Sequence, residues 1–336
     1  MSYDYSLTLA PADLLRCRFA ASPLWETVEA VRTLARPARQ AYHLPWLRAA
    51  RAAGAGLDLR PLWLLMPRRG HNPDFLAPAP TAPSAGFAEE AARIRAADPA
   101  RVREDLARAL ACTPGAADGE LGRRMLADPA RAARELAELL TAAWRALVEP
   151  YWPRIRALLE ADVAHHTRLT ARGGLAALFT GVHPEVRWDG AASTLRIGRG
   201  TGGHHRVLDG TGLLLMPSVF VWPDVVAGWE EPWQPMLVYP ARGVGDLWAG
   251  APPQPSAALA GLLGRGRARV LCAAAEPVTT AVLAARLGMA ASSVSAHLRA
   301  LRAAGLLDAG RAGREVPYVW TPLGRALVSG SDLPGS

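Results

Sequence analysis

Lysine is absent from the 336 residues: all 38 basic side chains are arginine. Ala, Arg, Gly and Pro are abundant, so the pattern fits GC-rich codon choice. The net charge of +8 is then weak evidence for a nucleic-acid partner by itself. Cysteine is scarce. Cys17, Cys112 and Cys272 are odd in number and far apart, which excludes a disulfide framework and leaves no cysteine pair at metal-ligand spacing. No apolar run approaches the roughly 18 residues of a membrane span. The opening Met1-Ser-Tyr-Asp-Tyr has no basic or apolar signal region. The expectation is a cytoplasmic protein with no membrane partner.

Catalytic signatures are missing too. There is no Gly-x-Ser-x-Gly elbow, and no carboxylate pair or Cys–His set can be assigned from spacing. Gly198-Arg-Gly-Thr-Gly-Gly203 matches the letters of a dinucleotide fingerprint, but a strand-like stretch follows where that site needs a helix. A flexible hairpin loop is expected there. His165-His166 and His204-His205 are adjacent pairs, and neighbours on a helix point about 100° apart, unlike the i, i+4 pairs that share a metal. The expectation is no enzyme, no metal and no cofactor.

The charge distribution says more than its total. Residues 256–336 carry nine arginines against four acids, so the last quarter holds most of the excess.

Tyr5–Leu9 reads as a short strand and Pro11–Arg18 as a short helix. Pro23–Leu34 is amphipathic, with Leu24, Val28, Val31 and Leu34 on one face. His43 to Leu47 opens a further short helix, and Pro61–Met66 is a compact apolar segment. These make a subdomain over 1–66. Five prolines between 67 and 86 predict an extended connector. Residues 87–181 read as helical, with Asp98-Pro and Asp128-Pro as helix starts, Pro150 and Pro153 as a break, and Gly173-Gly174 as a stop. Residues 182–248 read as a small antiparallel sheet, with strands at Val186–Trp188, Thr194–Ile197, Leu213–Phe220 and Met236–Tyr239. The Pro-rich stretch 249–256 is a linker. The fold class is α+β, mainly helical.

From 257 to 330 the pattern is short helices, then helix, tight turn, helix, then two short strands around a Gly-rich tip and a closing helix. This is the layout of a winged helix-turn-helix, whose second helix enters the major groove. Within 292–304, Val294, Leu298 and Leu301 fall at i, i+4 and i+7 and belong to the core. Ser292, Ser295, Ala296, Arg299 and Arg302 then face outward, with Ser293 at the side. That face is small, polar and basic, as an approach to base edges and phosphates requires. Ser295 and Arg299 are the candidates for base contacts. Arg311 and Arg314, on the hairpin tip, are candidates for phosphate. His297 sits at the edge of the buried stripe, as a packing or phosphate-facing residue.

Residues 288–307 resemble the recognition-helix signature of ArsR/SmtB-type regulators, and 313–322 their wing; the resemblance spans about 256–329. It implies a homodimer that binds double-stranded operator DNA, usually as a repressor released by an effector. The Cys-x-Cys pair of the family's metal sensors has no counterpart in Thr279–Arg286. The long N-terminal region, with Leu7–Leu14, His43–Trp46 and Pro217–Pro223, resembles a larger subgroup whose N-terminal domain has no established function. It is the expected sensor or dimerisation domain. Trp222, Trp229 and Trp233 cluster between prolines, either as packing or as a wall for a small-molecule effector. Two further readings stay open: a winged helix used for protein assembly, and an enzyme with a DNA-binding tail.

Overall fold

The computed structural model describes residues 4–36, 43–67, 70–198, 203–228, 234–248, 254–275, 278–309 and 318–330. The chain divides into two compact units, Met1–Val244 and Gly245–Ser336.

The first unit opens with β1 (Asp4–Thr8), α1 (Pro11–Leu14) and β2 (Arg18–Phe19). The expected helix to Arg18 stops early because Arg18 and Phe19 pair in parallel with Leu214 and Leu215, a distant partner that local pattern cannot show. Helices α2 (Pro23–Ala35), α3 (Leu44–Ala53), α4 (Arg60–Leu64), α5 (Phe87–Arg95), α6 (Pro99–Ala111), α7 (Glu120–Ala127), α8 (Pro129–Ala143) and α9 (Trp152–Val182) follow.

Three of these starts share one device. Ser22, Asp98 and Asp128 accept the backbone N–H of Trp25, Ala100 and Arg131 at 2.9, 3.1 and 3.0 Å, and each is followed by proline at the first helical position. One wide turn, Trp144–Val148, and a tight one containing Pro150 separate α8 from α9. Gly174, at φ 66°, breaks α9 in two, a conformation that costs glycine little. The Pro-rich stretch is not a plain extended connector: Asp74–Leu76 forms a tight helical turn, with Phe75 and Leu76 buried.

The strands β3 (Val186–Asp189), β4 (Thr194–Ile197), β5 (Gly203–Val207), β6 (Leu214–Ser218), β7 (Val226–Gly228) and β8 (Met236–Pro240) complete the unit, and α10 (Val244–Leu247) starts at its last residue. They form two mixed four-stranded sheets, ordered β3-β4-β1-β5 and β2-β6-β8-β7, not one antiparallel sheet. β1 runs antiparallel to β4 and parallel to β5, and β6 runs parallel to both β2 and β8. β4 and β5 are thus separated by β1 and do not form the expected hairpin; residues 199–202 lie outside the described residues. Because β1 and β2 join strands from beyond residue 194, the segments 1–66 and 182–248 share sheets within one unit. Alternation assigns the faces: Leu215, Leu237 and Tyr239 join Leu7, Phe179 and Leu195 in one core, while Met216 and Val238 point into another.

The second unit contains α11 (Ala257–Leu263), α12 (Arg265–Ala273), α13 (Thr280–Leu287), α14 (Ala291–Ala303), β9 (Leu307–Ala309), β10 (Tyr318–Trp320) and α15 (Pro322–Gly330). Gly288, at φ 61°, supplies the left-handed residue that ends α13 and sets the tight turn into α14. Its core joins Val270 and Leu271 to Leu283, Val294, Leu298, Leu301 and Leu307. β9 and β10 pair antiparallel, and Val278 bridges Tyr318 on the other side, so the wing strand is held from both edges. The Trp320 indole N–H donates to the Leu271 carbonyl at 2.6 Å, pinning the wing to α12. The whole chain is α+β and mainly helical.

Candidate functional site

The site on the second unit is built on α14. Val294, Leu298 and Leu301 are 0%, 0% and 1% exposed and anchor it to α12 and α13. Ser292, Ser293, Ala296, Arg299 and Arg302 are exposed, and Ser295 is half-buried. The outer face therefore carries hydroxyls, one methyl and two guanidinium groups, and no carboxylate. Ala290 gives the first turn no side-chain cap, so these amides keep their donor capacity for an anion. The Arg299 Nε lies 3.5 Å from the Ser295 carbonyl, a long contact that leaves its fork on the exposed side. Arg311 and Arg314 lie outside the described residues. His297 is half-buried, and its ring packs over Gly266 of α12.

Trp222 is half-buried and Trp229 and Trp233 lie outside the described residues. Among the described residues, a cavity of about 700 Å³ lies between β1, α2, residues 65–66 and 70–77, α6, β5, β7 and β8. Val225–Gly228, just after Trp222, contribute one wall, but Trp222 itself does not line it. Trp25, to which sequence reasoning assigned no role, does. Polar groups converge on this space. Glu29 and Arg32 form a close ion pair at 3.2 Å. Burial pushes the Glu29 carboxyl upward in pKa, and Arg32 and Arg36 oppose the shift.

His71, Asp74 and Asp105 form a second cluster that sequence spacing could not reveal, since Asp105 is on α6 and the others are in the Pro-rich stretch. One ligand atom from each lies within 4.8 Å of the others. Asp105 is already engaged: one oxygen is 3.2 Å from His71 Nε2 and the other accepts the Phe75 N–H at 3.1 Å. Three donors with one carboxylate so occupied do not reach the four of a structural zinc site. The contacts instead fasten the 71–77 segment to α6.

His165 and His166 divide as their spacing predicts. His166 turns inward, 3.6 Å from Asp162, while His165 stays half-buried at the surface. Asp162 accepts the Tyr239 hydroxyl at 3.0 Å and the Arg242 N–H at 3.0 Å, and burial lowers the His166 pKa. This network ties α9 to β8. His205 bonds Ser6 Oγ at 2.8 Å across the β1–β5 pair. None of the three cysteines is in a disulfide, and Cys272 is buried.

Residues 71–245 match a family of unknown function (DUF5937), and residues 267–308 match a helix-turn-helix domain. The second match spans α12 through β9 and so includes the whole of α14. No curated protein and no solved structure matches the chain significantly.

Proposed function

Since the chain belongs to the family of unknown function DUF5937 and adds to it a helix-turn-helix domain that marks a DNA-binding regulator of ArsR type, we propose that it is a one-component transcriptional repressor. It acts as a cytoplasmic homodimer, and its N-terminal unit senses a small effector and performs no catalysis. The observation that carries this reading is the outer face of α14, small, polar and basic over a fully buried Val294–Leu298–Leu301 stripe. A protein-binding face is depleted of charge and apolar at its centre. This one suits a major groove, where serine and arginine reach base edges and phosphates.

In this mechanism α14 enters the groove, Ser295 and Arg299 read bases, and Ser292, Ser293 and Arg302 position the helix on the backbone. A two-fold dimer places two such helices about 34–36 Å apart, one turn of DNA. Effector binding in the first unit shifts the balance between dimer arrangements that fit this spacing and those that do not. Among the described residues, no helix is long and apolar enough to cross a membrane.

The test is fluorescence anisotropy of the full chain on DNA from upstream of its own coding region, against random competitor, at several salt concentrations. A specific complex with a steep salt slope is expected. Equal, weak binding to all sequences would remove the regulator reading and favour the protein-assembly alternative.

A further inference from the structure

We propose that α12 adds a second set of phosphate contacts to the DNA-binding surface: Arg265 and Arg267 hold the backbone of the duplex beside α14. The inference rests on the DNA-binding reading above and carries its contacts beyond α14 and the wing. Both side chains are exposed and lie in the first turn of α12. Gly266 stands between them, and there α12 meets α14, because the His297 ring packs over it. Each arginine therefore starts one residue from the contact with the recognition helix.

His297 also identifies the margin of α14 concerned. Ser293 lies one turn before it on the same side of the helix and is exposed. That side borders the outer face of serine, alanine and arginine. An α-helix about 10–12 Å across fills a major groove about 12 Å wide, so the phosphates that wall the groove lie along the two margins of the helix. With the outer face of α14 in the groove, one backbone runs along the Ser293 margin, where α12 presents Arg265 and Arg267.

Charge favours the same partner. From Leu247 to Leu307 the sequence holds Arg265, Arg267, Arg269, Arg286, Arg299 and Arg302 against a single acid, Glu276. Glu276 lies outside the described residues and follows the far end of α12 in sequence; Ala273, the last residue of that helix, is already about 12 Å of helix away from Arg265. The next acid, Asp308, is exposed on β9, and its carboxylate accepts the Ala309 N–H at 2.8 Å. Arg269 illustrates a guanidinium used for the fold: it is half-buried and donates to the Leu287 carbonyl at 2.8 Å, tying α12 to α13. Arg265 and Arg267 make no such bond among the described residues. Exposed guanidinium groups with no acceptor in the protein, at the margin of a helix that fits the groove, match the backbone oxygens of a duplex.

The test is anisotropy of the full chain on two duplexes, one from upstream of its own coding region and one of random sequence, at several salt concentrations. Arg265→Gln combined with Arg267→Gln should weaken both complexes by the same factor and leave the ratio between them unchanged. The slope of log affinity against log salt should become shallower by about 1 for each arginine. Arg265→Lys with Arg267→Lys keeps the charge and should restore the slope. Arg101→Gln with Arg103→Gln removes two exposed charges from α6 in the first unit and should leave the slope as it is. Thermal unfolding checks that each variant folds, and Arg265→Gln alone, with a change of about 1, serves if the glutamine pair does not. An unchanged slope in the glutamine variants, a lysine pair that keeps the glutamine slope, or an equal change in the α6 pair overturns the proposal. A parent that binds both duplexes equally removes the regulator reading, while the slopes still decide the α12 contact. A parent that binds neither overturns both.

Discussion

Gly266 and His297 hold α12 and α14 together by close approach: a Cβ on Gly266 would lie 2.8 Å from Nε2 of His297 and 3.3 Å from Cε1. No real side chain sits that close, so any larger residue at 266 must displace the imidazole or the recognition helix. Gly266→Val is expected to destabilise the chain by about 1–3 kcal/mol, the usual cost of overpacking. Adding His297→Ala should recover most of the loss, because the clashing ring is gone. Denaturant unfolding of both variants measures the coupling. Equal stability of single and double variants would show that the helices yield elsewhere.

Arg299 is exposed on α14 and makes one long contact, to the Ser295 carbonyl. Arg299→Ala should cost about 1–3 kcal/mol of operator affinity, the worth of a good base contact, and change stability by no more than about 0.5 kcal/mol. Anisotropy and thermal unfolding on the same preparation separate the two effects. A large fall in melting temperature would mean that the side chain supports the fold.

Asp13 joins the start of the chain to a loop nearly 200 residues later. One carboxylate oxygen accepts the Gly210 and Gly212 N–H groups at 2.7 and 2.9 Å, and the other accepts the Ala10 N–H at 2.8 Å. The residue is fully buried. Asp13→Ala strands three amide donors and should cost about 3 kcal/mol or more. Asp13→Asn keeps an acceptor for both glycines and should cost less. Hydrogen exchange at Gly210 and Gly212 is the direct readout, and unchanged protection in the alanine variant would falsify this bracing role.

The parts of this molecule that local chemistry determines were legible. The cap-and-proline starts of α6 and α8 and the buried stripe of α14 depend on residues within a turn or two of each other, whereas the stop expected at Gly173-Gly174 is a kink, and α9 runs on to Val182. The sheets were not, because their pairings are remote: Tyr5 faces Ile197, and Arg18 faces Leu214. Strand text carries alternation but not the identity or direction of its neighbour, so parallel pairs read as antiparallel ones. The cavity was hidden for the same reason: its described lining comes from seven stretches of the chain. Trp25, alone on an amphipathic helix, looks like core until β7 and β8 are placed beside it.

Glu26 and Glu90 give the N-terminal unit a definite pH dependence. Glu26 is buried on α2, and both its oxygens lie near the Val219 N–H, at 3.1 and 3.2 Å. Burial outweighs that hydrogen bond and those from Ser218 and Phe220, and raises its pKa to about 8. Glu90 accepts the Ser22 hydroxyl and the Leu24 N–H, both at 2.9 Å, yet burial raises it to about 7. A carboxyl whose folded pKa is raised binds its proton more tightly in the native state. Its contribution is complete below the unfolded value of about 4.5 and is lost as pH climbs through 7 to 8. Stability should therefore fall from about pH 5 toward about pH 9, with Glu26 responsible for at most about 5 kcal/mol. Glu26→Gln, which is isosteric and cannot ionise, should flatten that decline and leave the variant more stable than the parent on the alkaline side. Denaturant midpoints across this window decide it. A parent stability that rises with pH, or a glutamine variant with the parent's slope, would mean that Glu26 ionises near its ordinary value and that water reaches it between α2 and the Val219 turn.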